Sequence, residues 1–262
     1  MLVFVHIPKT AGTTLHKVIS HQYRRRDILI RHDSDGPVAE TLAGRTGAPP
    51  QVVMGHYSVG LHRHVPGLRY ITCLREPVGR LISHYHYAAS FTGHYLHQAI
   101  HREKLDLAGY VSSGLAGELS NGMTRMLAGL DDVEQPEIGD AELAMAKENI
   151  ERHFDGVLLN DRFDEGLLLL AERLGWKTPY YLRRRVGNYP VSATKLDAAT
   201  RKLIEDQNAI DLQLYAWAKS RFEDLAASRP DLAERTAAFK KRNLGVGRAI
   251  FIVREARCRA FG

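Results

Sequence analysis

The chain is poor in cysteine. Two occur in 262 residues, Cys73 and Cys258. That is too few for a disulfide framework, so a reducing compartment is the default expectation. Long apolar runs are missing as well. None approaches the roughly 20 residues that a membrane-spanning helix needs, and no basic stretch precedes the first apolar residues as in a secretory leader. The string G-x-x-x-x-G-K-[ST], which cradles nucleotide phosphates in P-loop NTPases, does not occur. Internal repeats and metal-ligand motifs are also lacking, so no metal is expected. Most of the chain lacks a charge excess too. The net charge of +6 resides in residues 240–262, where Lys240, Lys241, Arg242, Arg248, Arg254, Arg257 and Arg259 face a single acid, Glu255. The remainder is balanced, so the basicity describes a tail and gives no ground for a nucleic-acid partner.

What is present is concentrated in the first residues. Leu2-Val3-Phe4-Val5-His6 is apolar and β-branched and reads as a buried strand. Leu15, Val18 and Ile19 fall at helical spacing. Between them lies Ile7-Pro8-Lys9-Thr10-Ala11-Gly12-Thr13-Thr14, a tight polar loop. A loop from strand to helix points backbone N–H groups and a helix N-terminus at one spot, which suits an anion. Gly12 permits close backbone approach. Lys9 adds a positive charge, and Thr10, Thr13 and Thr14 add hydroxyls.

Two further stretches end strands in a chemically suggestive way. Gln51-Val52-Val53-Met54 is a predicted strand that exits through Gly55-His56. In a parallel α/β sheet ligands lie beyond the carboxyl ends of strands. A histidine there is suited to take a proton from a hydroxyl near neutral pH, or else simply to bond a loop. Tyr70-Ile71-Thr72-Cys73-Leu74 is another strand, ended by Arg75-Glu76-Pro77, and Pro77 suits the first turn of a helix. Arg75 at the strand end and Ser83 on that helix can close on one phosphate from two sides, helped by Arg80, or else are simply a surface arginine and a helix serine.

Val5-His6-Ile7-Pro8-Lys9-Thr10-Ala11-Gly12-Thr13-Thr14 resembles the 5′-phosphosulfate-binding loop of sulfotransferase-2-type enzymes. These include bacterial carbohydrate sulfotransferases and uronyl 2-O-sulfotransferases. Leu74-Arg75-Glu76-Pro77-Val78-Gly79-Arg80-Leu81-Ile82-Ser83-His84-Tyr85 resembles their 3′-phosphate-binding segment. The resemblance implies a PAPS-dependent sulfotransferase (PAPS being 3′-phosphoadenosine 5′-phosphosulfate) that releases PAP, adenosine 3′,5′-bisphosphate, and sulfates a hydroxyl, by analogy that of a carbohydrate or glycolipid. Lys9, Thr10, Ala11, Gly12, Thr13 and Thr14 would hold the 5′-phosphosulfate, and Arg75 and Ser83 the 3′-phosphate. Gly55-His56 resembles the end of the family's His-Gly-His segment, so His56 would be the base, assisted by Lys9. The first histidine of that segment is Met54 here. Arg125, in a helix beginning near Asn121, and Arg185, in the basic loop Arg183-Arg184-Arg185, are further candidates for donor contacts. An ATP-dependent small-molecule kinase and a non-catalytic PAP-binding module remain the alternatives.

The rest of the chain reads as alternating strand and helix. Predicted strands at 28–30 and 156–160, with helices at 140–153 and 163–174, argue for one P-loop-like α/β domain with a mostly parallel sheet. Residues 196 to about 225 read as one long helix and 102–118 as an insertion, a segment that the resemblance implies shapes the acceptor groove. His94, His97 and His101 are placed to share a helix face, without a carboxylate or cysteine to complete a metal site. The expected division is a sulfotransferase domain over 1–239 and a basic amphipathic tail over 240–262. That tail suits either an anionic membrane surface or packing on the domain. A cytoplasmic location, with peripheral membrane contact through the tail, is the corresponding expectation.

Overall fold

A computed structural model describes residues 1–31, 38–44, 46–130, 137–177, 179–182 and 196–260, the last four of these without their side chains. Its strands are β1 (Leu2–Val5), β2 (Ile28–Arg31), β3 (Val52–Gly55), β4 (Arg69–Leu74) and β5 (Phe154–Leu159). The helices are α1 (Gly12–Ser20), α2 (Val38–Ala43), α3 (Pro77–Ser90), α4 (His97–Arg102), α5 (Leu107–Ser112), α6 (Gly122–Ala128), α7 (Asp140–His153), α8 (Phe163–Leu174), α9 (Ala198–Gln207), α10 (Ala209–Ala227), α11 (Leu232–Arg242) and α12 (Arg248–Ala260).

The five strands form one sheet in the order β2-β3-β1-β4-β5. Every pairing is parallel, so the sheet is wholly rather than mostly parallel. The three inner strands, β1, β3 and β4, are buried on both faces and read as continuous apolar runs. Side chains alternate between two cores. Val3, Val5, Val53, Tyr70 and Leu74 pack toward α6, α7 and α10. Phe4, Val52, Met54, Ile71 and Cys73 pack toward α1 and α8.

The order of strands fixes where a ligand can lie. From β1 the chain crosses to β2 on one side, and from β4 it crosses to β5 on the other. The connections therefore diverge between β1 and β4, leaving a crevice at their carboxyl ends. The loop 6–11 and Arg75 sit there.

Two expectations about helices change. The predicted helix 196–225 is two helices, α9 and α10, separated at Asn208. No proline or glycine breaks it; instead Asn208 turns its side chain to another part of the protein. Its Nδ2 donates to the carbonyls of Leu119 and Ile204, and its Oδ1 accepts from Asn121 N–H. Asn121 Oδ1 in turn accepts from the N–H groups of Ile210 and Asp211, while Asp211 accepts from Met123, Thr124 N–H and the Thr124 hydroxyl. The N-termini of α6 and α10 thus cap each other, meeting the demand of their unpaired donors.

The tail begins inside α11, which runs unbroken through residues 239 and 240. A short π-helical turn, Asn243–Gly247, leads into α12. One face of α12 lies on α1. Phe251 is buried with its ring 4.6 Å from that of His21, and Glu255 pairs with Lys17 at 2.8 Å. Leu244, Val246, Ile252 and Val253 stay exposed. Among the described residues no helix is long and apolar enough to cross a membrane.

Candidate active site

The loop after β1 is held in an unusual backbone shape. Lys9 and Ala11 both have positive φ, 68° and 73°. Left-handed residues alternating with right-handed ones turn successive N–H groups to one side, a concavity that receives anions. Ala11 is the N-cap of α1 and supplies no capping side chain. Helical bonding starts with Thr14 and Leu15, both donating to the Ala11 carbonyl, so the N–H groups of Gly12 and Thr13 precede it. The first turn of α3 differs, because Glu76 accepts from Val78 and Gly79 N–H at 2.9 and 2.7 Å. A carboxylate already caps that helix end, and among the described residues no capping side-chain hydrogen bond is made at that of α1.

The loop threonines divide. Thr10 is buried and its hydroxyl donates to the Ile7 carbonyl at 2.9 Å. Its one proton is committed to bracing the loop, which corrects the expectation that this hydroxyl faces an anion. Thr13 is partly exposed at the mouth and Thr14 is buried.

Gly12 is needed for a reason local sequence does not give. A Cβ there would stand 1.9 Å from Cδ2 of His6. His6 lies beneath the first turn of α1, and its N–H donates to the Gly55 carbonyl at 2.9 Å, extending the β1–β3 register by one residue. That register stacks the rings of His6 and His56 with centroids 4.2 Å apart and an interplanar angle of 26°. Burial, then the neighbouring His56, His16 and Lys9, hold the His6 imidazole well below its ordinary pKa, so it is uncharged near neutrality. His56 is exposed above it. Met54, where the related segment has its first histidine, points into the core and is fully buried. His6 supplies the second imidazole instead. Sequence places it at a strand end but cannot pair it with His56, because parallel register is not a local property.

Arg75 ties β4 to the loop, its Nη1 donating to the Lys9 carbonyl at 3.2 Å. Its guanidinium lies over Gly79, where a Cβ would be 3.5 Å from Nε. Ser83 follows Gly79 by four residues, on the same face of α3. Arg75 and Ser83 therefore line one side of that helix. Arg80 does not join them. Fully buried, it donates to the Glu118 carbonyl at 2.8 Å and lies 3.9 Å from Asp211, so it braces the fold. Arg125 is buried in α6, beside the bond from Val59 N–H to Met126 O that anchors the segment after His56. Arg185 lies outside the described residues.

The histidines after α3 are arranged differently from the expectation. His97 and His101 turn back to the carbonyls of Ala88 and Ala89. His84, His94 and Glu118 converge instead, with potential ligand atoms within 4.8 Å of one another. A carboxylate does therefore complete a three-residue set, contrary to the sequence reading. Its hydrogen bonds are already assigned. His94 Nδ1 accepts the Leu96 N–H, which leaves the proton of the neutral ring on Nε2. Glu118 accepts from Tyr95 at 2.5 Å and pairs with His84 Nε2 at 3.0 Å. Burial works to raise the Glu118 pKa. The adjacent His84, the Tyr95 hydrogen bond and Arg80 outweigh it and hold the carboxyl at about 2.

A family described as "Galactose-3-O-sulfotransferase" matches residues 54–246 of the chain. Among curated proteins, galactosylceramide sulfotransferase from Bos taurus is 26% identical over 272 residues, covering 92% of this chain and 62% of that protein. Galactose-3-O-sulfotransferase 3 from Bos taurus is 25% identical over 242 residues, covering 82% and 55% respectively. The chain thus spans less than two thirds of the length of either relative.

Proposed function

We propose, from the premise that this chain belongs to the galactose-3-O-sulfotransferase family, that it moves the sulfuryl group of PAPS to a galactose hydroxyl of a carbohydrate or glycolipid. Membership of the family supports a galactose-directed sulfotransferase within the expected class. The observation that carries the reading is the meeting of three strand ends. An uncapped helix N-terminus after β1, a stacked histidine pair across β1 and β3, and an arginine after β4 surround one crevice.

In this reading the N–H groups of Gly12 and Thr13 receive the 5′-phosphosulfate. Arg75 and Ser83 receive the 3′-phosphate, which distinguishes PAPS from ATP. The acceptor oxygen attacks sulfur in line. A new S–O bond forms, the bond from sulfur to the bridging oxygen breaks, and the electron pair leaves on the 5′-phosphate of PAP. His56 takes the hydroxyl proton as the bond forms. Lys9 and the loop amides stabilise the charge gathering on the bridging oxygen. The uncharged His6 ring presents no competing positive charge beneath His56.

Calorimetric titration with PAP tests the donor site. PAP should bind, ADP with Mg²⁺ should bind more weakly, and Arg75→Ala should weaken PAP by about tenfold or more, ~1.4 kcal/mol. His56→Ala should keep PAP affinity while turnover on a β-galactoside drops by roughly 10²- to 10⁴-fold. Preference for ADP–Mg²⁺ would move the chain to phosphoryl transfer, and normal turnover in His56→Ala would remove the base assignment.

A further inference from the structure

Beside Lys9 stands a wall of aromatic rings to which the transfer chemistry gives no role. It is built by the last turns of α3 and the segment leading to α4. Lys9 Nζ lies 4.0 Å from the centroid of Tyr87. Tyr87 stacks on Phe91 at 5.4 Å and meets His94 edge-on at 5.5 Å. His94 stacks on Tyr95 at 4.8 Å. Phe91 and Tyr95 are 46% and 65% exposed. Large exposed aromatics grouped at the rim of a polar site mark a contact surface.

Three properties say what this surface fits. The first is order. The Tyr95 hydroxyl is bonded to the partly buried Glu118 carboxylate, so an outward-facing ring is held in place before anything binds. The second is charge. Burial, then the proximity of His84, pushes His94 down to about 4, so at neutral pH this ring joins Tyr87, Phe91 and Tyr95 as an uncharged face. The third is position. Tyr87, at one edge of the wall, touches the lysine of the anion loop, so the wall borders that loop. A neutral ligand with a flat C–H face and a polar rim matches all three. In galactose the axial O4 leaves C3, C4 and C5 hydrogens together on one side of the ring, forming such a face.

We propose that Phe91, Tyr95 and the Tyr87–His94 pair behind them seat the galactose ring of the acceptor by stacking, a specificity site resting on the galactoside-sulfotransferase reading above.

The test uses the full chain with PAPS and lactose or methyl β-galactoside, together with Phe91→Ala, Tyr95→Ala and Tyr95→Phe. Initial rates give KM and kcat, and calorimetry gives PAP affinity. Phe91→Ala and Tyr95→Ala should each raise the galactoside KM about tenfold, with PAP affinity changed less than about twofold. Tyr95→Phe, which keeps the ring, should stay nearer wild type than Tyr95→Ala. Galactoside turnover with KM unmoved in both alanine variants would overturn the seat and leave the sulfotransferase reading standing. Equal losses for PAP and galactoside would assign the wall to the donor and overturn the proposal. PAP binding without any galactoside turnover by the wild type would overturn the proposal together with the galactoside reading.

Discussion

At the scale of single residues, the site depends on atoms that are close for tertiary reasons. Gly12 is the clearest case. The sequence reads it as a loop glycine near an anion, while the ring it must clear in the structure belongs to His6. Gly12→Ala cannot be accommodated by a rotamer of its own, since a methyl group has none. Either His6 swings away from His56 or the first turn of α1 lifts. The first unstacks the histidine pair and the second tilts the N–H cradle, and through the second PAP affinity should fall by about tenfold or more, ~1.4 kcal/mol, with far-UV circular dichroism unchanged. Calorimetry on the folded variant checks this, and undiminished PAP binding would show that the loop tolerates the crowding. Thr10 teaches the complementary lesson. A hydroxyl in a polar loop reads as a ligand donor, yet its partner is a carbonyl three residues back. Composition names the groups available, whereas geometry decides which remain available to a ligand.

At the scale of elements, the first four strands were legible to within a residue at each end, because they are largely apolar runs bounded by turn residues, whereas the fifth, expected at 156–160, starts two residues earlier because Asp155 and Gly156 interrupt its apolar pattern. Helices α7 and α8 were legible for the corresponding reason, their 3.6-residue periodicity. The junction of α9 and α10 was not, because local propensity there favours continuation and the interruption comes from Leu119 and Asn121, far back in the chain. Mutual capping makes this junction a point of high stability. Asp211 is fully buried and accepts three hydrogen bonds from Met123 and Thr124. Asp211→Ala leaves those donors and the nearby Arg80 charge without it, so it should destabilise the fold by about 3 kcal/mol or more. Urea unfolding reads this directly. A loss below about 1 kcal/mol, within the range of an ordinary surface change, would mean that water replaces the carboxylate.

At the scale of the whole molecule, acid sensitivity follows from where the histidines sit. His6, His62, His86, His94 and His153 all have pKa values below 6.5, with burial the largest cause in each case. For such a group the unfolded chain takes the proton first. The stability it contributes is complete above pH 6.5 and is lost as pH falls through the folded value, about 4 for His94. Glu118 acts in the same direction lower down, between its unfolded value near 4.5 and about 2. The urea midpoint should therefore fall steadily from pH 7 to pH 5 and continue falling below it. A flat profile between pH 7 and 5 would show that these rings are protonated in the native state.

The sheet order has one more consequence. β4 and β5 are neighbours, yet everything from residue 75 to residue 153 intervenes between them. The anion loop belongs to the compact stretch before this excursion. The aromatic wall and Glu118 lie within it, leaving from and returning to fixed points on the sheet. Such an arrangement works like a cassette. In the proposed reading Arg75 and Ser83, at the base of the excursion, hold the donor beside the sheet, so the part beyond α3 is the one that can be lengthened, trimmed or exchanged to suit a different acceptor.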